Sequence, residues 1–296
     1  MRCTQHPIEN QVVPVLSLVF ASSFHAPEVA SDREVVISDP DGAPLVFGWR
    51  RGGDHWLSLP DIADFRFRAG SDVVAAYAAP GASTEDVVDA YQGSVLPIAV
   101  QIALHGQSLH ASAVVTPDGR IVAFCGSSQA GKTTIAVGLS RRGCGLWADD
   151  AVAFDARADE LTAVRLPFEL NLRKESAAYF DALPEEDVAV RANGHPPEWT
   201  QAKLAAFCVL ERLEESSGRY TIERLTSRDA FTALLAQSFR FKPQAHEEKR
   251  RMMQDYLEAV AQLPVFRVRY RAGFDTLPAV IDQIEEIVLG SVAGRR

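Results

Sequence analysis

The chain has little cysteine and none of it is paired by spacing. Cys3, Cys125, Cys144 and Cys208 are its four cysteines, and no C-x-x-C or zinc-finger spacing joins them. This excludes a disulfide-framed scaffold and predicts reduced thiols in a cytoplasmic protein. A long apolar run is also missing. Val12 to Phe20 is the longest near the start, and Pro14 interrupts it. It falls short of the ~20 residues of a membrane helix and has no convincing cleavage site, so neither a membrane partner nor a signal peptide is expected. Positive charge is scarce: 30 basic residues face 39 acidic ones, for a net charge of −9. That argues against nucleic acid as a partner, which needs a basic footprint. Internal repeats and low-complexity segments are absent. What is present is 296 residues with 47% apolar and 23% charged content, the composition of a globular protein large enough for one large core or two domains.

The most informative segment is Gly126-Ser127-Ser128-Gln129-Ala130-Gly131-Lys132-Thr133, which fits the Walker A pattern G-x-x-x-x-G-K-[ST]. The strand-like run Ile121–Cys125 precedes it, and Thr134 to Arg142 reads as a helix with its basic end last. Strand, glycine loop and helix are the context in which the motif cradles phosphate. Backbone N–H groups turn inward where glycine allows close approach, and the helix N-terminus adds partial positive charge. Lys132 is placed to reach the β- and γ-phosphates, and the Thr133 hydroxyl to ligate magnesium. Residues Gly126 to Thr134 are the expected nucleotide-binding set.

Gly145 to Val152 follows the helix. An apolar strand ending in Asp149-Asp150 has the form of a Walker B element, in which an acid beside the loop holds magnesium. Adjacent residues of a strand point to opposite sides, so the two acids are expected to have different duties. Upstream, Leu109 to Val115, then Thr116-Pro117-Asp118-Gly119, then the loop strand, read as a hairpin. His110 stands at its start.

In combination these residues resemble the HPr serine kinase/phosphorylase family. The likeness covers Leu109 to Phe154: His110, the hairpin, the glycine loop, and Arg141-Arg142-Gly143 leading to Ala148-Asp149-Asp150. A weaker likeness, in Leu225 to Phe231 and Pro264 to Val268, is to kinase-like relatives of that family, including kinases of modified-peptide gene clusters. The resemblance implies an α/β P-loop kinase core related to phosphoenolpyruvate carboxykinase. It implies phosphoryl transfer from ATP to a hydroxyl with Mg2+, Asp150 acting on the acceptor proton, and His110 belonging to the same site. The chain departs from the family where Gln129 replaces a glycine, where Thr133 replaces a serine, and where a Glu-Ile-Arg-Gly-type signature is missing. The nearest segment is Pro167 to Lys174, in which Glu169 is the expected second magnesium ligand.

Residues 1–95 are expected to form a β-rich N-terminal region and 96–296 the P-loop kinase-like domain. Phe65 and Phe67 alternate with Arg66 and Arg68 as one buried sheet face would. Ser83 and Asp86 resemble a capping box opening a helix from Thr84 to His105, which Pro97 should kink or split. His25, His55 and Trp56 are isolated and are read as structural. Strands are expected at Leu204–Leu210 and Val265–Tyr270, helices at Asp229–Ser238, Glu247–Leu263 and Leu277–Leu289, and a loop around Asn193–Pro197. The basic stretch from Arg240 to Arg251 reads as a solvated helix face or a phosphate partner.

The expected protein is therefore a kinase. Thr133, Asp149 and Glu169 would hold the metal, Asp150 would take the acceptor proton supported by His110, and Lys132 would neutralise the transferred phosphoryl group. The acceptor is a serine hydroxyl of a protein or peptide, or a small-molecule hydroxyl. A non-catalytic nucleotide-binding switch or scaffold is the other class, and a homo-oligomer is open.

Overall fold

The computed structural model describes residues 16–21, 33–38, 41–156, 160–182, 200–213, 220–239 and 246–293. The expected Asn193–Pro197 loop, Arg240–Pro243, Cys3 and His25 lie outside them. The protein is a mixed α/β chain with two mixed sheets. Of the described residues, 16–108 with 239 and 246–254 form one compact unit, and 109–238 and 255–293 form the other.

The first unit holds β1 (Ser17–Phe20), β2 (Glu34–Ser38), β3 (Pro44–Arg51), β4 (Asp54–Leu59), β5 (Ala63–Arg68) and β6 (Val73–Ala78), in the order β1-β6-β5-β4-β3-β2. All pairs are antiparallel except β1 with β6. In β5 the alternation read from sequence is realised: Ala63, Phe65 and Phe67 are buried, and Arg66 and Arg68 are exposed. His55 and Trp56 are buried within β4, and Trp56 stacks on Trp49 across the ladder at 5.8 Å.

The helix α1 (Thr84–Ala90) opens with the expected box, in which Ser83 Oγ accepts from the Asp86 amide and the Asp86 carboxylate accepts from the Ser83 amide. Pro97 neither ends the helix nor bends it alone. A π-helical turn, Tyr91–Val95, intervenes before α2 (Leu96–Ala103), where the proline stands in the first turn. The helix is continuous through this turn, with the Leu96 amide bonded to the Tyr91 carbonyl, and the wider turn accommodates a residue that supplies no N–H of its own. The expected boundary at 95/96 falls at the start of α2, inside this unit, whose contacts run on to Ser108.

Short β7 (Gln107–Leu109) leads into the second unit, made of β8 (Ala111–Val115), β9 (Ile121–Gly126), α3 (Lys132–Ser140), β10 (Gly145–Ala148), β11 (Val152–Asp155), β12 (Thr162–Val164), α4 (Lys174–Asp181), β13 (Gln201–Leu213), β14 (Tyr220–Arg224) and α5 (Ser227–Ala236). After these come α6 (His246–Gln262), which starts in the first unit and ends in the second, β15 (Val265–Arg271), α7 (Leu277–Gln283), a π-helical turn Ile284–Leu289, and α8 (Gly290–Ala293). The sheet runs β10-β8-β9-β13, with β15 parallel on the far side of β13 and β14 beyond it. The long β13 is its spine, buried along Leu204–Leu210.

On β15 the outward Arg267 and Arg269 meet Glu211 of β13 at 3.0 and 2.9 Å, and Arg267 meets Glu223 of β14 at 3.3 Å. The inward Val268 and Tyr270 join Phe124, Ile135, Leu139, Cys208 and Ile281 in the core under α3 and α7. Burial pushes the Cys125 thiol up to about 12, so this cysteine is an inert packing group. No helix among the described residues is long and apolar enough to cross a membrane.

Candidate functional site at the end of the second sheet

Strand β8 runs antiparallel to both of its neighbours, so its first residues lie beside the last residues of β9 and of β10. Ser112 pairs with Phe124, and Ala113 pairs with both Ala123 and Ala148. This single register gathers His110, the loop after Cys125 and the Asp149-Asp150 pair at one end of the sheet.

The loop from Gly126 to Lys132 turns through backbone conformations that side chains resist. Gly126 has φ 153°, and a Cβ there would meet the Leu210 carbonyl oxygen at 2.7 Å. Gly131 has φ 94° and caps α3 without any side-chain bond, leaving the first-turn amides without a side-chain acceptor, as an anion-binding helix start requires. Gln129, where the resembled family has glycine, is also left-handed at φ 67°. Strain of this kind collects at functional loops. Gln129→Gly should therefore stabilise the fold by up to about 1 kcal/mol, the left-handed penalty less the extra freedom of glycine when unfolded. A urea midpoint below that of the wild type would contradict it. Ser127, Ser128 and Gln129 are exposed, and Ala130 is buried.

Lys132 is 7% exposed. Its ammonium donates to the carbonyls of Gly126 at 3.0 Å and Ser127 at 3.2 Å. Burial pulls its pKa down, opposed by the Asp150 carboxylate, Cys125 and Asp149. Thr134 Oγ1 meets Ser176 Oγ of α4 at 3.1 Å.

The two acids are not set apart by strand alternation as expected. Strand β10 ends at Ala148, and the Ala151 amide donates back to the Asp149 carbonyl at 2.7 Å. Asp150 thus stands at the centre of a three-residue turn, at φ 60°. Asp149 turns inward and is buried. Its Oδ1 accepts from Ser112 Oγ at 2.6 Å and Thr133 Oγ1 at 2.8 Å, and its Oδ2 accepts from the Asn171 amide at 3.1 Å. Asp150 turns outward and is exposed. Desolvation by the surrounding protein and then the Asp149 charge raise its pKa above the ordinary carboxylate value, against the pull of His110 and Lys132.

His110 Nδ1 lies 3.1 Å from the Asp150 carbonyl oxygen. A carbonyl only accepts, so Nδ1 carries the proton in this bond. Desolvation and then Lys132 lower the pKa of His110, which keeps the ring neutral. The histidine therefore holds the backbone of the Asp150 turn.

The structure brings together His110, Lys132, Thr133, Asp149 and Asp150. It does not bring in Glu169, which is exposed and makes no hydrogen bond or ion pair among the described residues. Nor do any three His, Cys, Asp or Glu side chains among them form a ready-made metal cage. The adjoining oxygens of Thr133 and Asp149 are hard donors, which suits a magnesium ion that keeps much of its water.

Four contributors were not read from sequence. Ser112 had a signal, as the single polar residue of the run Ala111–Val115, since a buried hydroxyl demands a partner. The Asn171 amide, Ser176 and Tyr270 had none. The Tyr270 hydroxyl donates to the Ala130 carbonyl at 2.5 Å from across the sheet.

No model of a known protein family matches the chain, and no curated protein matches it. Among solved structures it is similar to the HPr(Ser) kinase/phosphatase from Coxiella burnetii, at 13% identity over 62% of this chain and 98% of that one, with a TM-score of 0.33.

Proposed function

We propose that the chain is an ATP-dependent phosphotransferase acting on a hydroxyl. The observation that supports it best is the division of labour between the two acids. Asp149 is buried and bound to the hydroxyl of Thr133 at the start of α3. Asp150 is exposed one residue later, with a raised pKa. A binding module needs an acid of the first kind; a proton-transfer site needs one of the second as well.

In this reading the loop Gly126–Thr134 wraps the phosphates of ATP, and Thr133 and Asp149 hold magnesium. Bound Mg-ATP supplies the electrophilic phosphoryl group. Lys132 gives up its two loop carbonyls to offset negative charge on the phosphates. Asp150 accepts the proton of the attacking hydroxyl, and His110 keeps its turn in place. By resemblance the acceptor is a serine hydroxyl of a protein or peptide, with a small-molecule hydroxyl as the next choice. The position of Glu169 outside the cluster favours the second reading, a nucleotide-operated switch without transfer.

The test is incubation with labelled ATP and magnesium against serine-containing peptides, proteins and small hydroxyl compounds. Transfer that depends on Asp150 sustains the enzyme; nucleotide binding without transfer to any acceptor favours the switch. Lys132→Ala removes a charged donor and should weaken ATP by roughly 10- to 150-fold. Unchanged affinity by calorimetry in a folded variant would remove the phosphate-loop reading itself.

A further inference from the structure

Tyr179 of α4 and Phe274, in the turn after β15, stack with ring centres 4.6 Å apart and planes 12° apart. Tyr179 packs on its inner side against the core beneath the sheet. Phe274 is 37% exposed. The stack thus grows outward from the core and ends in an aromatic ring open to water.

The turn carrying that ring is well fixed. Thr276 Oγ1 donates to the carbonyls of Arg271 and Gly273, each at 2.9 Å, and Arg271 pairs with Asp275. A single exposed apolar ring is ordinary on a protein surface. The position of this one is not ordinary, and two separate links set it. Phe274 follows by four residues the tyrosine whose hydroxyl holds the Ala130 carbonyl. Tyr179 follows by three residues Ser176, which touches Thr134 in the first turn of α3. Residues three apart share a helix face about one turn apart, about 5 Å along the axis. Phe274 is thus linked through Tyr270 to the phosphate loop, and Tyr179 lies one helical turn along α4 from the residue that meets the first turn of α3.

Resting on the proposed ATP site, we infer that the outer face of Phe274 is the platform on which the purine base of the nucleotide stacks. A triphosphate anchored at the loop carries its nucleoside outward past Thr134, on the side where Ser176 and α4 approach. A flat π surface there offers a base–aromatic contact that works for any purine, because every base has a π face. Discrimination between ATP and GTP through this contact is accordingly weak.

The experiment titrates magnesium ATP, magnesium GTP and magnesium tripolyphosphate into the full chain and into Phe274→Ala and Phe274→Trp. Tripolyphosphate has the anchor and no base. The expected result is a loss of roughly 5- to 150-fold in ATP and GTP affinity for Phe274→Ala, with tripolyphosphate affinity unchanged. In Phe274→Trp, ATP affinity is retained, and the tryptophan emission changes on adding ATP and not on adding tripolyphosphate. Equal weakening of all three ligands, or none, overturns the platform and leaves the phosphate loop standing. Failure of the wild type to bind either nucleotide or tripolyphosphate removes the loop reading, and the platform with it.

Discussion

Asp150→Asn is expected to cut phosphoryl transfer by roughly 10²- to 10⁴-fold, the contribution of a positioned base, while ATP stays bound. Asparagine keeps the shape of the side chain and tolerates the left-handed turn at φ 60°, so the loop and Asp149 are undisturbed. The same substitution should raise stability at neutral pH. The folded-state pKa of Asp150 lies above its ordinary value, chiefly through desolvation and then Asp149. Below the ordinary carboxylate range both folded and unfolded chains are protonated there, and the residue favours neither. As pH rises through that range the unfolded chain ionises first, and relative stability is lost until the folded group ionises too. Urea unfolding of wild type and variant should therefore agree near pH 3, below the ordinary aspartate pKa of ~3.9, and separate near pH 7 with the variant more stable. A variant that gains nothing at pH 7, or gains equally at both pH values, would show that Asp150 is not held in a costly ionised state. Retained transfer would show that it is not the base. His110→Ala should be milder than Asp150→Asn, since the histidine acts through the turn's backbone at 3.1 Å.

The second large effect concerns the bond between the far strand and the loop. A Cβ on Gly131 would lie 2.1 Å from the Tyr270 hydroxyl and 3.5 Å from the ring carbon that bears it. Gly131→Ala thus combines a backbone penalty at φ 94° with a buried clash, and should destabilise by about 2–4 kcal/mol. Tyr270→Phe alone loses one buried hydrogen bond, about 1 kcal/mol, and leaves the Ala130 carbonyl without its donor. In the double variant the hydroxyl is gone and the added methyl meets the ring carbon at an ordinary distance. Tyr270→Phe should therefore destabilise the wild type yet stabilise Gly131→Ala, a coupling of opposite sign that a double-mutant cycle measures directly. Simple additivity of the two changes would mean that the loop moves away from the tyrosine and that the contact does not fix it.

Much of the site was legible because its parts are local. The hairpin is spelled by Pro117-Asp118-Gly119 and the loop by glycine and lysine spacing, and the alternation of Phe65 and Phe67 and the Ser83 cap likewise need only a few residues to declare themselves. What escaped was set by strand register and distance along the chain. Asp149 reads as a strand-end acid, but its partners arrive 37 residues upstream, from Ser112, and 22 residues downstream, from the Asn171 amide. Tyr270 alternates with arginines in a pattern that reports only a half-buried strand. That its hydroxyl reaches a carbonyl 140 residues away follows from β15 lying beside β13, which no short window contains. The π turn before Pro97 was illegible for another reason: the residue forbids one bonding pattern without naming its replacement.

The first unit is closed by residues made long after its strands. Glu248, in the first half of α6, lies 3.3 Å from His55 of β4 and 3.8 Å from Arg50 of β3, Arg251 meets His105 at the end of the first unit's helical stretch, and Met252 is buried. On a ribosome the six strands leave the exit tunnel well over a hundred residues before these partners do, a delay on the order of 10 s at ordinary synthesis rates. The first unit is begun early and completed only at residue 254, with the second unit's residues 255–293 still to follow. During that interval the nascent sheet lacks part of its lining, and the second unit's own strands emerge while the first is still incomplete.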